Sequence, residues 1–245
     1  MEPDTYKNMA ASQDVHWWFH GRRLLLKSMI QRLPLPPDAR ILDAGCGTGA
    51  NLDMLHQFGT VWGMEPNAFA LERAKTRSHS IVEYGALPDQ IPFAPINFHM
   101  ISLLDVLSCC QDDGAVIRAL SARLIDGGWL VVTTPAYGFL WSSHDNAQHH
   151  HRRYHMNQLR SLLEQGGLEV SFTTYFNTVL FPLIAMILIF KRITGLFHGD
   201  DTVALPHPWL NHFFFHILSF ERNLISRGVQ LPFGVSILAL AQKKG

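Results

Sequence analysis

The sequence predicts an α/β fold built on a doubly wound, largely parallel sheet of seven strands. Short apolar runs alternate with helical patterns along residues 38–176, which is typical of parallel strands joined by crossover helices. A glycine-rich turn joins the first apolar run to the first helical pattern. The last apolar run, residues 234–244, is predicted to be a seventh strand with no helix after it.

The 245 residues are predicted to form a single domain. Four segments are expected within it: an N-terminal helical cap at 1–37, the α/β core at 38–176, an apolar helical insertion at 177–230 and the last strand at 231–245.

Composition narrows the class of protein. Lysine plus arginine and aspartate plus glutamate balance at 20 each, so charge gives no argument for nucleic-acid binding. Three cysteines cannot build a disulfide framework, and the N-terminus is polar and acidic, unlike a secretory signal. We therefore expect a cytoplasmic protein. Its hydrophobic content of 47% predicts an ample core and an unusually apolar surface.

The glycine turn is the strongest motif. Ile41 and Leu42 end an apolar strand, Asp43 follows, and residues 44–49 place glycine at every second position before a helical pattern begins at Ala50. A strand that leads through a glycine turn into a helix is an arrangement that binds nucleotide-like ligands at the N-terminus of the helix. The spacing also fits a dinucleotide fingerprint, but a carboxylate would oppose the pyrophosphate. Asp43 would suit a ligand with a positive amino group.

Two further strands are predicted to end in acids near this turn. Glu65 ends the second strand, twenty residues after Gly45, where a carboxylate can accept both ribose hydroxyls. The same spacing occurs with more than one class of nucleotide-like cofactor, so it indicates a ribose without identifying the cofactor. Asp105 ends the fourth strand, either as a site residue or as a helix cap.

The segment D-x-G-x-G-x-G at 43–49 closely resembles motif I of the class I S-adenosylmethionine-dependent methyltransferases. A narrower resemblance is to uncharacterised bacterial methyltransferases with an HWWF…RR start and an HD…H-x-RRY loop. The resemblance implies a Rossmann-like sheet with an antiparallel last strand, and S-adenosylmethionine as the cofactor. The expected cofactor-binding residues are Trp18, Arg22, Asp43, Gly45, Cys46, Gly47, Gly49, Asn51, Glu65, Pro66, Ala86, Leu87 and Asp105.

The positions of Ala86, Leu87 and the N-terminal helix along the chain account for several of these expectations. In the resembling families a residue just after the third strand lines the adenine; here Ala86 and Leu87 fall there, so the contact would be main-chain or apolar. A helix predicted at 14–32 begins with three consecutive aromatic residues. They are expected either to cap the sheet or to close the cofactor cleft, with Arg22 or Arg23 reaching the cofactor carboxylate.

A histidine-rich segment follows the fifth strand, and five of the fourteen histidines fall within 144–155. It is either a solvated loop or the site of chemistry. In the favoured hypothesis His144 or His150 removes a proton from the acceptor while Asp145 holds the imidazole. In a second, His144, Asp145 and a later histidine bind a divalent metal, although the spacing matches no closed zinc site. The expected acceptor-binding residues are Trp141, Arg152, Arg153 and Tyr154. As an alternative, the two arginines are expected to clamp an anionic substrate group such as phosphate.

The insertion is strongly apolar. An unbroken apolar run from Val179 to Phe190 is followed by Lys191 and Arg192, and a second stretch at 208–225 is rich in phenylalanine. The run is shorter than the roughly 20 residues that span a bilayer. The insertion is therefore expected to be either a buried cap or a membrane-surface lid, with residues 178–226 contacting lipid.

Together these features predict methyl transfer from S-adenosylmethionine to an oxygen or nitrogen of a small, hydrophobic or lipid-linked acceptor. Two alternatives stay open: an NAD-dependent oxidoreductase, which would share the glycines and Glu65, and a non-catalytic membrane-peripheral binding protein.

Overall fold

The computed structural model describes residues 3–77, 80–194 and 206–244. Part of the predicted insertion, 195–205, lies outside the described residues. The strands form one sheet in the order β3-β2-β1-β4-β5-β7-β6, in which β7 is antiparallel to both neighbours and every other pair is parallel. The predicted fold class, including the antiparallel last strand, is confirmed. The strands are β1 Arg40–Ala44, β2 Thr60–Glu65, β3 Ile81–Tyr84, β4 Phe98–Leu104, β5 Leu124–Pro135, β6 Leu168–Phe176 and β7 Ser236–Lys243.

Helices cover both faces of this sheet. They are α1 Pro3–Ser12, α2 Trp17–Ile30, α3 Leu52–Leu55, α4 Ala68–Arg77, α5 Asp113–Ala122, α6 Ser143–Ala147, α7 Met156–Gln165, α8 Phe181–Thr194 and α9 Pro208–Ile225.

The helix predicted at 14–32 was wrong at its start. His16 takes an extended conformation and its Nδ1 accepts from the N–H of Trp18 at 3.2 Å, so His16 caps a helix that begins at Trp17. A separate helix, α1, precedes this break.

The core lies in two layers because successive strand residues point to opposite faces of the sheet. Ile41 packs in the layer formed with α2, α3, α4 and α9, whereas its neighbour Leu42 packs in the layer formed with α5 and α7. The strand order reverses direction between β1 and β4, which places a crevice at their carboxyl ends.

The two helices of the insertion pack differently. On α9, Leu218, Glu221 and Ile225 are buried, and α9 lies against α2. On α8, none of the described side chains is buried. The expectation of a buried cap therefore fits α9 and does not fit α8. Within the described ranges, no helix has both the length and the apolar character needed to cross a membrane.

Candidate functional site

A cavity of about 450 Å³ lies in the crevice at the carboxyl ends of β1, β2 and β4. The glycine turn forms one side, α1 and the start of α2 cover it, and the histidine-rich loop closes the far end. Its volume falls within the range of cofactor and small-molecule sites, roughly 300–1,000 Å³. The predicted residues on its wall are Trp18, Arg22, Gly45, Cys46, Gly47, Asn51, Glu65, Pro66, Asp105, His144, His150 and Arg153.

The glycine turn needs its glycines for two different reasons. All three have positive φ, which side chains rarely adopt. A Cβ on Gly47 would meet nothing within 4 Å, so the backbone there faces open cavity. A Cβ on Gly49 would lie 3.1 Å from the Cα of Ala74, so Gly49 allows close packing against α4 and lies off the cavity wall.

Glu65 lies at the end of β2 and is only 3% exposed. Its Oε2 accepts from the N–H of Gly47 at 3.0 Å, and its Oε1 accepts from the N–H of Asn67 at 3.0 Å. Oε1 also accepts from the hydroxyl of Tyr6 at 3.1 Å, which brings α1 onto the atom predicted to bind a ribose. Burial raises the pKa of Glu65, and the two backbone hydrogen bonds limit the rise.

Asp43 lies beneath the glycine turn rather than on the cavity wall, with 1% of its surface exposed. Its Oδ1 accepts from the hydroxyl of Ser102 at 2.6 Å, whereas its Oδ2 has no partner. Burial raises the pKa of Asp43 to about 6, against the lowering effects of the Ser102 hydrogen bond and the nearby Arg22 charge.

Arg22 and Asp105 form an ion pair on the cavity wall. Asp105 has a φ of +60°, and its Oδ1 accepts from the hydroxyl of Thr133 at 3.1 Å. The short 3₁₀ turn that follows at 107–109 has no side-chain cap, so the structure favours the site role over the helix-cap role. The Nε of Arg22 is buried without a partner.

At the far end, Asp145 is fully buried and joins two basic side chains. Arg153 donates to both of its carboxylate oxygens, from Nε at 2.8 Å and from Nη2 at 2.9 Å. The Nδ1 of His150 lies 2.9 Å from Oδ1. Burial acts to raise the pKa of Asp145, but these hydrogen bonds and the Arg153 charge hold it well below its usual range. The other ring nitrogen of His150, Nε2, is buried without a partner, and the residue lines the cavity.

The two candidate bases thus differ. Asp145 contacts His150, whereas the Nε2 of His144 lies 2.7 Å from the amide nitrogen of Gln148. Burial lowers the pKa of His144. The metal hypothesis gains no support, because the described part of the chain holds no group of three potential ligands from His, Cys, Asp and Glu.

Three of the predicted acceptor-binding residues lie outside the cavity. Arg152 donates to Asp113 at 2.8 Å, and the buried Tyr154 donates its hydroxyl to the same carboxylate at 2.9 Å. Trp141 donates to Asn146 at 2.9 Å. Arg153 lines the cavity, but its guanidinium is paired with Asp145, so it is not available as the anion clamp expected of it.

Ala86 and Leu87 also lie off the cavity wall. Two backbone hydrogen bonds between Ala86 and Gln90 close a small turn after β3, and Leu87 packs against the core layer that contains α5. The structure does not bring either residue to the other predicted cofactor contacts.

Several cavity residues were missed from the sequence. Tyr6 and Gln13 belong to the N-terminal segment, and the side-chain carbonyl of Gln13 accepts from the hydroxyl of Thr48 at 2.6 Å. His16 lies on the wall, and burial lowers its pKa to about 4, which keeps it neutral. Asn177 directly follows β6, has a φ of +58° and lies on the cavity wall. A polar residue at the end of that strand is a signal from which the sequence could have placed it there.

Comparisons with known proteins agree with this geometry. A family model described as a methyltransferase domain matches residues 18–171. No curated protein matches the sequence significantly.

Solved structures with the same fold are distant in sequence. A TehB-like S-adenosylmethionine-dependent methyltransferase from Corynebacterium glutamicum has a TM-score of 0.56 at 19% identity, over 98% of this chain and 94% of that one. An S-adenosylmethionine-dependent methyltransferase from Clostridium acetobutylicum has a TM-score of 0.59 at 12% identity, over 91% and 92%.

Phosphoethanolamine N-methyltransferase 2 from Haemonchus contortus, solved with S-adenosyl-L-methionine, has a TM-score of 0.58 at 15% identity, over 90% of this chain and 52% of that one. The chain therefore belongs to the class I S-adenosylmethionine-dependent methyltransferases, and S-adenosylmethionine is its cofactor.

Proposed function

We propose that this methyltransferase methylates an oxygen or nitrogen of a small hydrophobic or lipid-linked acceptor, with His150 as the general base. The observation that carries this proposal is the unpartnered, buried Nε2 of His150, a residue on the cavity wall.

The proposal retains the cytoplasmic location predicted from the sequence, since all three cysteines are free.

The residues around the glycine turn fit the cofactor. Three buried polar atoms without partners lie near it: the acceptor Asn51 Oδ1 and the donor Arg22 Nε belong to residues on the cavity wall, and the acceptor Asp43 Oδ2 lies beneath the turn. An amino-acid moiety with an ammonium and a carboxylate group offers matching partners. Glu65 would hold the ribose, and the open space over Gly47 lets a ligand approach the backbone. When bound, S-adenosylmethionine supplies a methyl group on a positively charged sulfur.

His150 has the arrangement of a base. Its Nδ1 donates to Asp145, which fixes the tautomer and leaves the Nε2 lone pair directed away from the carboxylate. Arg153 keeps Asp145 ionised, so the imidazolium formed on proton uptake is stabilised by a full negative charge. Nε2 therefore takes the proton from the acceptor hydroxyl or amine, while the cavity aligns the reacting atoms.

The rest of the cavity wall supports an apolar acceptor. The wall also carries hydrophobic side chains, which include Trp17, Phe19, Leu104, Val106, Pro135 and Val235. Apolar walls with a few placed polar groups are typical of sites for hydrophobic small molecules.

The acceptor class is tested with S-adenosylmethionine labelled in its methyl group. The protein is incubated separately with a total bacterial lipid extract and with an aqueous metabolite extract. We expect label in the lipid extract. Label in the aqueous extract alone would contradict the hydrophobic acceptor. Binding of S-adenosylhomocysteine without transfer to either extract would favour the non-catalytic alternative.

The base is tested by His150→Gln. We expect methyl transfer to fall by about 10²–10⁴-fold, because a positioned base contributes that much to the rate. S-adenosylhomocysteine affinity, measured by calorimetry, should stay within about twofold. The matched control is His151→Gln, an exposed neighbour whose backbone N–H bonds to Ser108. Equal rates in the two variants would remove His150 from the chemistry.

A further inference from the structure

Helix α8 is apolar on every side and has no buried side chain among its described residues. Residues 181–190 are all hydrophobic or proline. Met186 is 62% exposed, Phe190 55% and Ile193 78%. A helix that is apolar all round is normally found in a protein core or in a membrane. This helix is not in the core of its own chain.

A second apolar surface lies on α9. The inner side of α9 packs on α2, but Trp209, Phe213 and Phe220 are 63%, 53% and 58% exposed. These three residues are spaced by four and seven positions, so they share one face of the helix. Each helix of the insertion thus presents an exposed apolar surface, formed by residues 181–190 on α8 and by the Trp209, Phe213, Phe220 face on α9.

The charges within the two apolar stretches themselves favour an anionic bilayer over a protein partner. No acidic residue occurs in 181–194 or in 208–220, and Lys191 and Arg192 directly follow the apolar run. Basic residues that flank an apolar helix attract anionic lipid headgroups, and tryptophan is enriched at the membrane interface. A protein-docking helix normally keeps a polar face toward solvent, which α8 lacks.

The length of α8 limits how far the helix can extend into a bilayer. Its 14 residues extend about 21 Å, less than the roughly 30 Å hydrocarbon core. We propose that α8 and the exposed face of α9 insert into one leaflet of a membrane that contains anionic phospholipid.

Neither helix has a described residue on the cavity wall, but both lie near residues that line it. The ring of Phe181, at the start of α8, packs 5.6 Å from Tyr137 and 5.5 Å from Phe233. Asn177, four residues before α8, lines the cavity, and Trp17 on the cavity wall packs 5.3 Å from Phe214 of α9. A bilayer at this surface would lie next to the acceptor end of the site. The membrane proposal does not depend on the acceptor or on His150.

Flotation of the full-length protein with vesicles tests the proposal directly. The vesicles are phosphatidylcholine alone, or phosphatidylcholine with about 30% phosphatidylglycerol. We expect the protein to float with the anionic vesicles and to bind the neutral ones more weakly. Ile189→Glu, a change at a 45% exposed position of α8, should lower the vesicle partition coefficient about tenfold or more, because a charge is expensive in the bilayer.

The matched control is Ile81→Glu on β3, where the isoleucine is 52% exposed, and it should float like the original protein. Near-ultraviolet circular dichroism and S-adenosylhomocysteine binding report whether each variant is folded. The proposal is overturned if the original protein stays at the bottom of the gradient, or if Ile189→Glu floats equally well. It is also overturned if light scattering shows a dimer that Ile189→Glu converts to monomer, since a second copy would then cover α8.

Discussion

The two ends of the cavity are built by different physical means. At the cofactor end, the contacts come from the backbone of the glycine turn and from Glu65, all at strand ends of the sheet. At the acceptor end, they come from a loop whose shape depends on the buried ion pair of Asp145 and Arg153. The difference teaches that the expected cofactor contacts are fixed by the fold itself, whereas the proposed acceptor contacts depend on side chains that hold one another in place.

The largest effect is expected from breaking the acceptor end. Asp145→Ala leaves the guanidinium of Arg153, which is 7% exposed, without its counterion. We expect the free energy of unfolding to fall by about 3–5 kcal/mol, since removing one partner of a buried pair leaves an uncompensated charge. Urea denaturation measures this loss.

A surface ion pair provides the control. Glu72→Ala removes the partner of Lys75 where both side chains are well exposed, and the cost should be about 1 kcal/mol or less. Equal losses in the two variants would show that the Asp145 pair does not organise the loop.

At the cofactor end, we expect a substitution to change the affinity for the ligand rather than the free energy of unfolding. Glu65→Gln keeps a carbonyl acceptor for one of the two backbone donors, places an amide NH₂ opposite the other, and removes the charge that would attract ribose hydroxyls. We expect the dissociation constant of S-adenosylhomocysteine to rise about tenfold or more, roughly 1.4 kcal/mol. Calorimetric titration measures it.

Glu83→Gln, an exposed change on β3, serves as the reference and should leave the affinity within about twofold. If Glu65→Gln also bound normally, the ribose assignment would fail and the contrast between the two ends would lose its basis.

Acid pH should weaken ligand binding at the cofactor end. The pKa of Asp43 is about 6, so its carboxylate is charged above this pH and can attract the ligand ammonium. Below pH 6 we expect affinity for S-adenosylhomocysteine to fall by up to about tenfold per pH unit. Asp43→Asn should bind weakly at all values between pH 5 and 8. A pH-independent affinity in the original protein would argue against this charge attraction from beneath the turn.

The contribution of Asp43 to the free energy of unfolding should change with pH in the opposite direction to the ligand affinity. The folded-state pKa of Asp43 exceeds the ordinary value of 3.8, so ionisation is harder in the folded protein. Asp43 therefore costs stability as the pH rises from about 4 to about 6, and the cost stays constant above. Urea unfolding of the original protein and of Asp43→Asn should converge near pH 4 and favour the variant at pH 7.

The sequence predicted the cofactor end better than the acceptor end. Gly45 and Gly47 are needed for a backbone turn made by consecutive residues, so the motif is visible in the sequence. Glu65 ends the next strand, which periodicity also shows. Arg22 and Asp105 were both expected at the site, but their ion pair joins residues 83 positions apart, which local patterns do not reveal.

At the acceptor end, the choice between His144 and His150 stayed open because it depends on where Asp145 points. That direction is set by Arg153, which the sequence suggested as an anion clamp and which the fold uses as a counterion. Tyr6 was missed for a similar reason, because its contact with Glu65 spans 59 residues. Long-range pairing, rather than local propensity, decided each of these cases.

The docking of α9 limits how this protein can be divided. Leu218 lies so close to Gly21 that a Cβ there would come within 2.5 Å of Leu218 Cδ2, and Asn211 accepts from the N–H of Trp17 at 2.8 Å. The first and last thirds of the chain are thus fitted to each other as one unit. A chimera that exchanges residues 177–230 with a relative must exchange α2 as well, or it will misfit at Gly21 and expose the core. Helix α8 has no buried side chain among its described residues, so it can be exchanged without this constraint.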